Sequence, residues 1–145
     1  MIGLLQRVTS ASVVIANNNF AHIQQGLLVF VGIEKQDTEA QAERLLDRLI
    51  SYRVFSDQDG KMNLSLIDVK GDLLLVPQFT LPADTKRGTR PSFSSAASPE
   101  AGERLFNYLL SHARQSCSNV AAGKFGADMQ VELVNDGPVT FWLQV

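Results

Sequence analysis

The sequence predicts an α+β protein: a mixed, mostly antiparallel β-sheet that curls into a barrel-like core, with two main helices. Three observations predict this class: β-branched runs of strand length, two stretches with apolar residues at helical spacing, and an order of strands, helix, strand, helix and strands. With 145 residues and 45% apolar content, the chain is expected to form a single domain over residues 1–145.

The strand candidates begin at the amino end. Residues 8–15 are rich in β-branched side chains and precede the turn-prone Asn17-Asn18-Asn19, so residues 1–24 are expected to form a hairpin. The continuous apolar run that follows Gly26 predicts a central strand buried on both faces. Three further strands are expected over residues 73–79, 129–134 and 139–145.

Two helices are expected, each with a start signal. Thr38 and Gln41 have the spacing of a capping box before an apolar stripe, which predicts a helix over residues 38–53. Ser98 and Pro99 begin a second stripe, which predicts a helix over 99–116. Residues 82–97 form a long connection rich in Pro, Gly, Ser and charge, and long loops of this kind are often functional.

Composition narrows the function classes. A net charge of −2 gives no general attraction to nucleic acid, so RNA contact would need a local basic cluster. Cys117 is the only cysteine, which excludes an internal disulfide. Neither a secretory signal nor a membrane-spanning apolar run is recognisable, so we expect a cytoplasmic protein without membrane contact. No metal-ligand spacing or phosphate loop is present, so no metal and no cofactor are expected.

Hydrolytic chemistry would have to proceed without a conventional triad. The two histidines, His22 and His112, stand in settings that favour an exposed structural role. Thr80 is a candidate nucleophile, but no base is identifiable near it, and a strand-end threonine often bonds only to backbone. The favoured alternative is that residues 78–80 present main-chain N–H groups to an oxyanion.

Two polar motifs follow apolar runs, Gln78-Phe79-Thr80-Leu81 and Asn135-Asp136-Gly137-Pro138-Val139-Thr140. A Gly-Pro bond is one of the few places where a cis peptide costs only about 0.5–1 kcal/mol, and its neighbouring carbonyls can form a rigid wall. The same residues are good turn formers, and spacing alone favours an ordinary hairpin turn.

Together the two motifs resemble the signatures of the D-aminoacyl-tRNA deacylase family, small hydrolases that remove D-amino acids from tRNA. The resemblance covers essentially the whole chain, with matching segments at 2–8, 55–57, 60–63, 87–93 and 141–142. It implies a homodimer in which a cis Gly137-Pro138 enters the partner's pocket and excludes L-amino acids by contact with backbone atoms. Glycine would pass this wall, so glycyl-tRNA mischarged on an alanine tRNA is a second expected substrate.

The resemblance also implies roles for other residues. Phe125 and Met129 are expected around the terminal adenosine, although either is equally consistent with a core position. A basic cluster in the long loop is expected to contact tRNA phosphates, although a solvated surface explains the same charges: Lys86, Arg87 and Arg90. An arginine embedded among apolar residues usually has an anion or carbonyl partner, so Arg7 is expected to bind substrate, and the alternative is that it holds the Gly137-Pro138 turn in place. Substrate-binding roles are also expected for Asn135 and Thr140.

One position departs from the family pattern. Where the deacylases usually have serine, this chain has Pro77, which lacks a hydroxyl and a ladder N–H, so the strand is expected to be bulged or at an edge there. If backbone N–H groups carry the reaction, the change is tolerated. The alternatives are a catalytically weakened module that binds the tRNA acceptor end, and a plain oligomeric scaffold.

Overall fold

The fold consists of one large sheet, a small two-stranded sheet and three helices. The computed structural model describes residues 1–86 and 88–145. In chain order the elements are β1 Ile2–Ile15, β2 Asn18–Ile23, β3 Gly26–Gly32, α1 Glu39–Ser51, β4 Phe55–Ser56, β5 Met62–Leu64, α2 Leu66–Val69, β6 Asp72–Pro77, α3 Pro99–Ser116, β7 Val120–Ala122 and β8 Gln130–Gln144.

Strand β1 organises the large sheet. Its first half pairs with β3 and its second half with β2, and β8 runs antiparallel to it along the other edge. Beyond β3 the sheet continues through the parallel strands β6 and β7. The sheet is therefore mixed and nearly closed, which confirms the α+β class with a barrel-like core.

Two apolar clusters occupy opposite faces of the central strands. Leu27, Val29 and Val31 of β3 face the cluster that includes the buried side chains of α1 and α3, whereas Leu28 faces a second cluster under the curled end of β1. All four side chains are essentially inaccessible to solvent. The predicted central strand, buried on both faces, is thereby confirmed.

The two long helices match their predicted bounds closely, and their caps explain why. The Thr38 N–H donates to Gln41 Oε1 over 2.9 Å at the start of α1, and Ser98 Oγ accepts from the Ala101 N–H over 3.3 Å at the start of α3. The sequence analysis missed α2, which has a reciprocal cap of its own between Ser65 and Asp68. The third helix is thus a correction to the expected pair. None of the helices in the described part of the chain has the length and apolar character needed to cross a bilayer.

Several strand bounds differ from expectation. The first hairpin turns at Ala16 and Asn17, which both have positive φ, so Asn18 already belongs to β2. Strand β6 ends at Pro77, before the residues that were expected to end it. The sequence analysis also missed β4, β5 and β7, since two or three residues are too few to show a period.

The largest correction concerns the carboxyl end. Residues 129–134 and 139–145 were expected to be two strands joined by a turn, but they belong to the single strand β8. Val8 pairs with Asn135 and Gln6 with Thr140, so four residues of β8 lie opposite Arg7 alone. The chain bulges and then resumes its direction, because Val139 and Phe141 continue the row that packs on the core. The hairpin interpretation of the Asn-Asp-Gly-Pro segment is wrong.

Gly26, where β3 begins, offers a test of how closely the central strands must approach. A Cβ at this position would lie 1.9 Å from the Asp72 carbonyl oxygen, which is backbone and cannot move aside alone. We expect Gly26→Ala to lower the free energy of unfolding by about 3 kcal/mol or more in urea titrations. The control is Gly3→Ala in β1, where a Cβ would meet only the ends of flexible side chains, none nearer than 3.2 Å. Equal stability of the two variants would contradict the expected clash.

Candidate active site

The first motif forms a tight turn immediately after β6. The Gln78 N–H donates to the Val31 carbonyl over 2.8 Å, and the Leu81 N–H donates to the Gln78 carbonyl over 3.2 Å. Residues 78–81 therefore reverse the chain directly over the end of β3, with Phe79 and Thr80 at the centre of the turn. We refer to these four residues as the 78–81 turn.

The centre of the turn offers two free hydrogen-bond donors. Among the described residues, neither the Phe79 N–H nor the Thr80 N–H has an acceptor, and both residues are exposed. The Gln78 N–H, by contrast, is engaged by β3. Two of the three amides that the sequence analysis considered are thus available to a ligand.

An apolar pocket of about 390 Å³ opens beside the turn. Its floor is formed by Val31 and Ile33, and its rim carries Phe79, whose side chain is 62% exposed and whose ring lies 5.3 Å from that of Phe93. Phe125 is another lining residue. The pocket therefore suits an aromatic ligand such as a nucleobase.

Two pocket residues escaped the sequence analysis. Phe93 lies in the long loop and carried no periodic signal. Gly102 lies inside α3, where glycine is less favourable than alanine by about 1 kcal/mol, and a Cβ there would lie 3.2 Å from the Phe125 ring. This glycine inside a helical pattern could have indicated the pocket from the sequence, since such a glycine marks the close approach of another group.

A more polar groove, of about 640 Å³, lies on the Thr80 side of the turn. It contains Lys86 and the half-exposed ring of Trp142. The segment that carries Lys86 is closed by a pair of backbone hydrogen bonds between Asp84 and Ser92, of 2.8 and 3.0 Å. Arg90 is exposed, and the predicted contact residue Arg87 lies outside the described residues.

The second motif is a braced bulge. The Gly137–Pro138 peptide bond is cis, as the resemblance implied, and both residues are exposed. Arg7 Nε donates to the Asp136 carbonyl over 2.9 Å, and Arg7 Nη1 donates to the Val54 carbonyl over 2.5 Å. Arg7 Nε also lies 3.4 Å from the Asp136 carboxylate, so the guanidinium has both carbonyl and anionic partners at this segment.

Asn135 provides the second brace. Its Oδ1 accepts from the Val139 N–H over 2.8 Å, and its Nδ2 donates to Thr140 Oγ1 over 2.9 Å. The side chain thus spans the bulge from one end to the other. Gly137 has a φ of 134°, and a Cβ there would lie 3.0 Å from Arg7 Nη2, so glycine is required.

The two motifs do not share the apolar pocket. No residue of β8 lines the apolar pocket beside the 78–81 turn. Met129 does not line it either: its sulfur accepts a hydrogen bond from the Lys124 N–H, and it packs against the second core cluster. Of the residues expected to bind substrate, Phe125 alone lies in this pocket.

Pro77 fits its strand because its nitrogen faces no partner. β7 pairs with residues 73–75 only, so β6 has a free edge at its last residue. The expectation of an edge position is confirmed. The proline consequently disturbs neither the Gln78 bond to Val31 nor the free amides beyond it.

Ionisable groups contribute little at this site. Burial raises the pKa of the Cys117 thiol, and a hydrogen bond to Glu43 raises the pKa of Tyr108 to about 12, but neither residue lines the pocket. No group of three or more potential metal ligands occurs in the described ranges. The chemical resources of the site are main-chain donors, hydroxyls and apolar surface.

Comparison with known proteins identifies similar chains. The family model for D-Tyr-tRNA(Tyr) deacylase matches residues 4–144. A D-aminoacyl-tRNA deacylase of Pseudomonas fluorescens strain Pf0-1 is 64% identical over 144 residues, which is 99% of each chain. Another, of Pseudomonas putida strain KT2440, is 61% identical over the full length of both.

Two solved structures have the same fold. The c-Myc DNA Unwinding Element Binding Protein aligns with a TM-score of 0.96 at 36% identity, covering 100% of this chain and 99% of that one. A probable eukaryotic D-amino acid tRNA deacylase aligns with a TM-score of 0.86 at 16% identity, covering 99% and 98%.

The brace at Arg7 can be tested by stability. We expect Arg7→Met to lower the free energy of unfolding by about 3 kcal/mol in urea titrations, because two carbonyls lose charged donors. The control is Arg104→Met, which removes an exposed ion pair with Glu39 and should cost less than about 1 kcal/mol. If both variants lose the same small amount, Arg7 is not the brace.

Proposed function

Because the chain belongs to the D-Tyr-tRNA(Tyr) deacylase family, it is a D-aminoacyl-tRNA deacylase, and we propose that it stabilises the transition state of ester hydrolysis with the main-chain amides of the 78–81 turn. The observation that carries this proposal is the pair of free N–H groups at Phe79 and Thr80, beside an apolar pocket. Such donors stabilise the oxyanion that develops when an ester carbonyl is attacked.

The Thr80 side chain is less suited to act as a nucleophile. Its Oγ1 accepts a hydrogen bond from Gln78 Nε2 over 2.6 Å, and within the described residues no carboxylate or imidazole bonds to it. Because this hydroxyl accepts a hydrogen bond from an amide, its own proton remains available for donation to a ligand. With no base to remove that proton among the described residues, the hydroxyl is better suited to binding than to nucleophilic attack. The attacking group in this proposal is water: its oxygen bonds to the ester carbonyl carbon, the ester bond to the ribose oxygen breaks, and the neighbouring ribose hydroxyl is placed to accept or relay the proton.

The apolar pocket is proposed to hold the terminal adenosine. Phe125 and Phe79 provide aromatic surface against which a base can stack, and the ester then lies over the turn. Phosphates of the acceptor end are proposed to contact Lys86, which lines the groove beside Thr80, and Arg90, which is exposed in the same loop. Arg87 belongs to the same proposed contact by its position in the sequence.

Selection against L-amino acids is assigned to the Gly137–Pro138 bulge of a second subunit. The bulge is exposed and braced by Arg7 and Asn135, yet none of its residues lines the apolar pocket of the same chain. A homodimer in which each bulge enters the partner's site would bring the two motifs together. A rigid backbone wall would exclude an L side chain by contact, whereas glycyl-tRNA has no side chain to exclude and is a proposed second substrate.

The main rival is a module that binds the acceptor end without turnover. This alternative function was suggested by Pro77, but the proline precedes the free amides of Phe79 and Thr80 and removes neither of them. The arrangement therefore favours the enzyme.

The oxyanion role is tested by removing one N–H. We expect Phe79→Pro to lower kcat for D-tyrosyl-tRNA about 100- to 1,000-fold relative to Phe79→Ala, because only the proline variant lacks the donor. Thr80→Ala keeps its N–H and should retain kcat within about 10-fold. Equal activity of the two Phe79 variants, both shown to be folded by circular dichroism, would reject the oxyanion role.

Chirality is tested with matched esters. We expect D-tyrosyl-tRNA to be cleaved about 100-fold or more faster than L-tyrosyl-tRNA, equivalent to a steric cost near 3 kcal/mol. Asn135→Ala releases the Val139 N–H and should reduce this preference about 10-fold.

The matched control for this substitution is Gln6→Ala, which also removes a contact to Thr140 but leaves the bulge braced. An unchanged D/L ratio in Asn135→Ala would separate the bulge from chiral selection.

The basic loop is tested by salt dependence. We expect Lys86→Gln/Arg90→Gln to weaken tRNA binding and to reduce the slope of log K against log salt by about 1.5, the value for two lost phosphate contacts. Lys61→Gln, on the exposed β4–β5 hairpin, should leave the slope unchanged. A slope that is the same in all three proteins would mean that the loop is only a solvated surface.

A further inference from the structure

We infer that Gly32, the last residue of β3, is a positioning residue for the deacylation reaction. Because Gly32 has no side chain, the 78–81 turn can pack closely against the end of β3, and this close packing fixes the position of its two free amides. This inference rests on the proposed oxyanion role of those amides. Gly32 lies outside both sequence motifs, and it is not itself a lining residue of the apolar pocket, although its neighbours Val31 and Ile33 form the pocket floor.

Steric contacts carry the inference. A Cβ at Gly32 would lie 2.7 Å from the Leu81 Cβ and 2.9 Å from the Pro82 Cδ. Ordinary contact begins at 3.4 Å, so even one methyl group would push the turn away from β3. The φ of Gly32 is not positive, so the backbone conformation does not itself require glycine, and these contacts decide the structural effect of the substitution.

The turn cannot easily yield without moving its amides. One end is tied to β3 by the Gln78 N–H bond to Val31, and the other is held by Ser95, whose hydroxyl donates to the Pro82 carbonyl. The segment that carries Ser95 is itself paired with the extension of β3, since the Ala97 N–H donates to the Ile33 carbonyl over 2.9 Å. Displacement at Leu81 and Pro82 must therefore be taken up at Phe79 and Thr80.

The expected consequence is a loss of rate without a loss of binding. Displacement of catalytic groups by a fraction of an ångström to an ångström costs up to about 100-fold in rate. The displaced turn shares Phe79 with the proposed base-binding pocket, but the rings of Phe93 and Phe125 and the basic loop lie outside the turn, so binding should change much less than rate. Gly32→Ala should therefore lower kcat about 10- to 100-fold and leave KM within about twofold.

A double-mutant cycle tests the inference, with wild type, Gly32→Ala, Leu81→Gly and the double variant measured on D-tyrosyl-tRNA. Leu81→Gly removes the nearer clashing atom and gives the chain the backbone freedom to move Pro82, the second clashing group, without moving Phe79 and Thr80. Gly32→Ala should therefore cost about 10-fold or more in kcat in the wild-type background and less than about threefold in the Leu81→Gly background. The same cost in both backgrounds would overturn the inference. Gly3→Ala, with only flexible neighbours, should keep the wild-type kcat and KM.

Folding and amide geometry are followed by circular dichroism and by the ¹⁵N–¹H spectrum. If Gly32→Ala alone fails to fold, the double variant should fold and match Leu81→Gly in kcat, and its failure to fold would overturn the inference. Unmoved Phe79 and Thr80 amide resonances in a folded Gly32→Ala variant would also overturn it. Moved resonances with an unchanged kcat would instead reject the oxyanion role on which it rests.

Discussion

The pairing of strands β1 and β8 changes register between Gln6 and Val8 and again between Val8 and Ser10, and Arg7 lies at the first and larger of these shifts. Without its bonds to the Asp136 and Val54 carbonyls, four residues of β8 would face a gap lined by unpaired backbone groups, which are costly to bury. The brace allows β8 to bulge and still complete the edge of the sheet. The exposed Gly137–Pro138 segment belongs to this same bulge.

A second organising point is the end of β3. Val31 accepts from the 78–81 turn, and Ile33 accepts from the segment that leads into α3. The 78–81 turn and the segment before α3, which flank the apolar pocket, are therefore both hydrogen-bonded to β3 or its immediate extension. Strand β3 itself is buried on both faces. A site built from a loop and a helix start acquires in this way the rigidity of the core.

Elements with a strong period or cap were predictable from the sequence, and irregular ones were not. Apolar spacing and the Thr38 and Ser98 caps gave α1 and α3 nearly to the residue, and the continuous apolar run gave β3. The bulge in β8 was mistaken for a turn because Asn, Gly and Pro favour both, and only pairing with β1 distinguishes them. The sequence likewise placed the candidate donors at residues 78–80, but which amides remain free depends on the register of β6 against β3.

A reaction centre made of main-chain donors responds to side-chain substitutions differently from one made of side chains. Alanine scanning leaves every N–H in place, so it would register the residues that shape the backbone and pass over the groups proposed to do the chemistry. The proposed oxyanion chemistry makes no direct demand on the side chains of residues 78–80, which contribute instead to base stacking and to the shape of the turn. On this account, inactivating changes would concentrate at glycines, prolines and buried hydrogen-bonding side chains, at a distance from the bond that is cleaved.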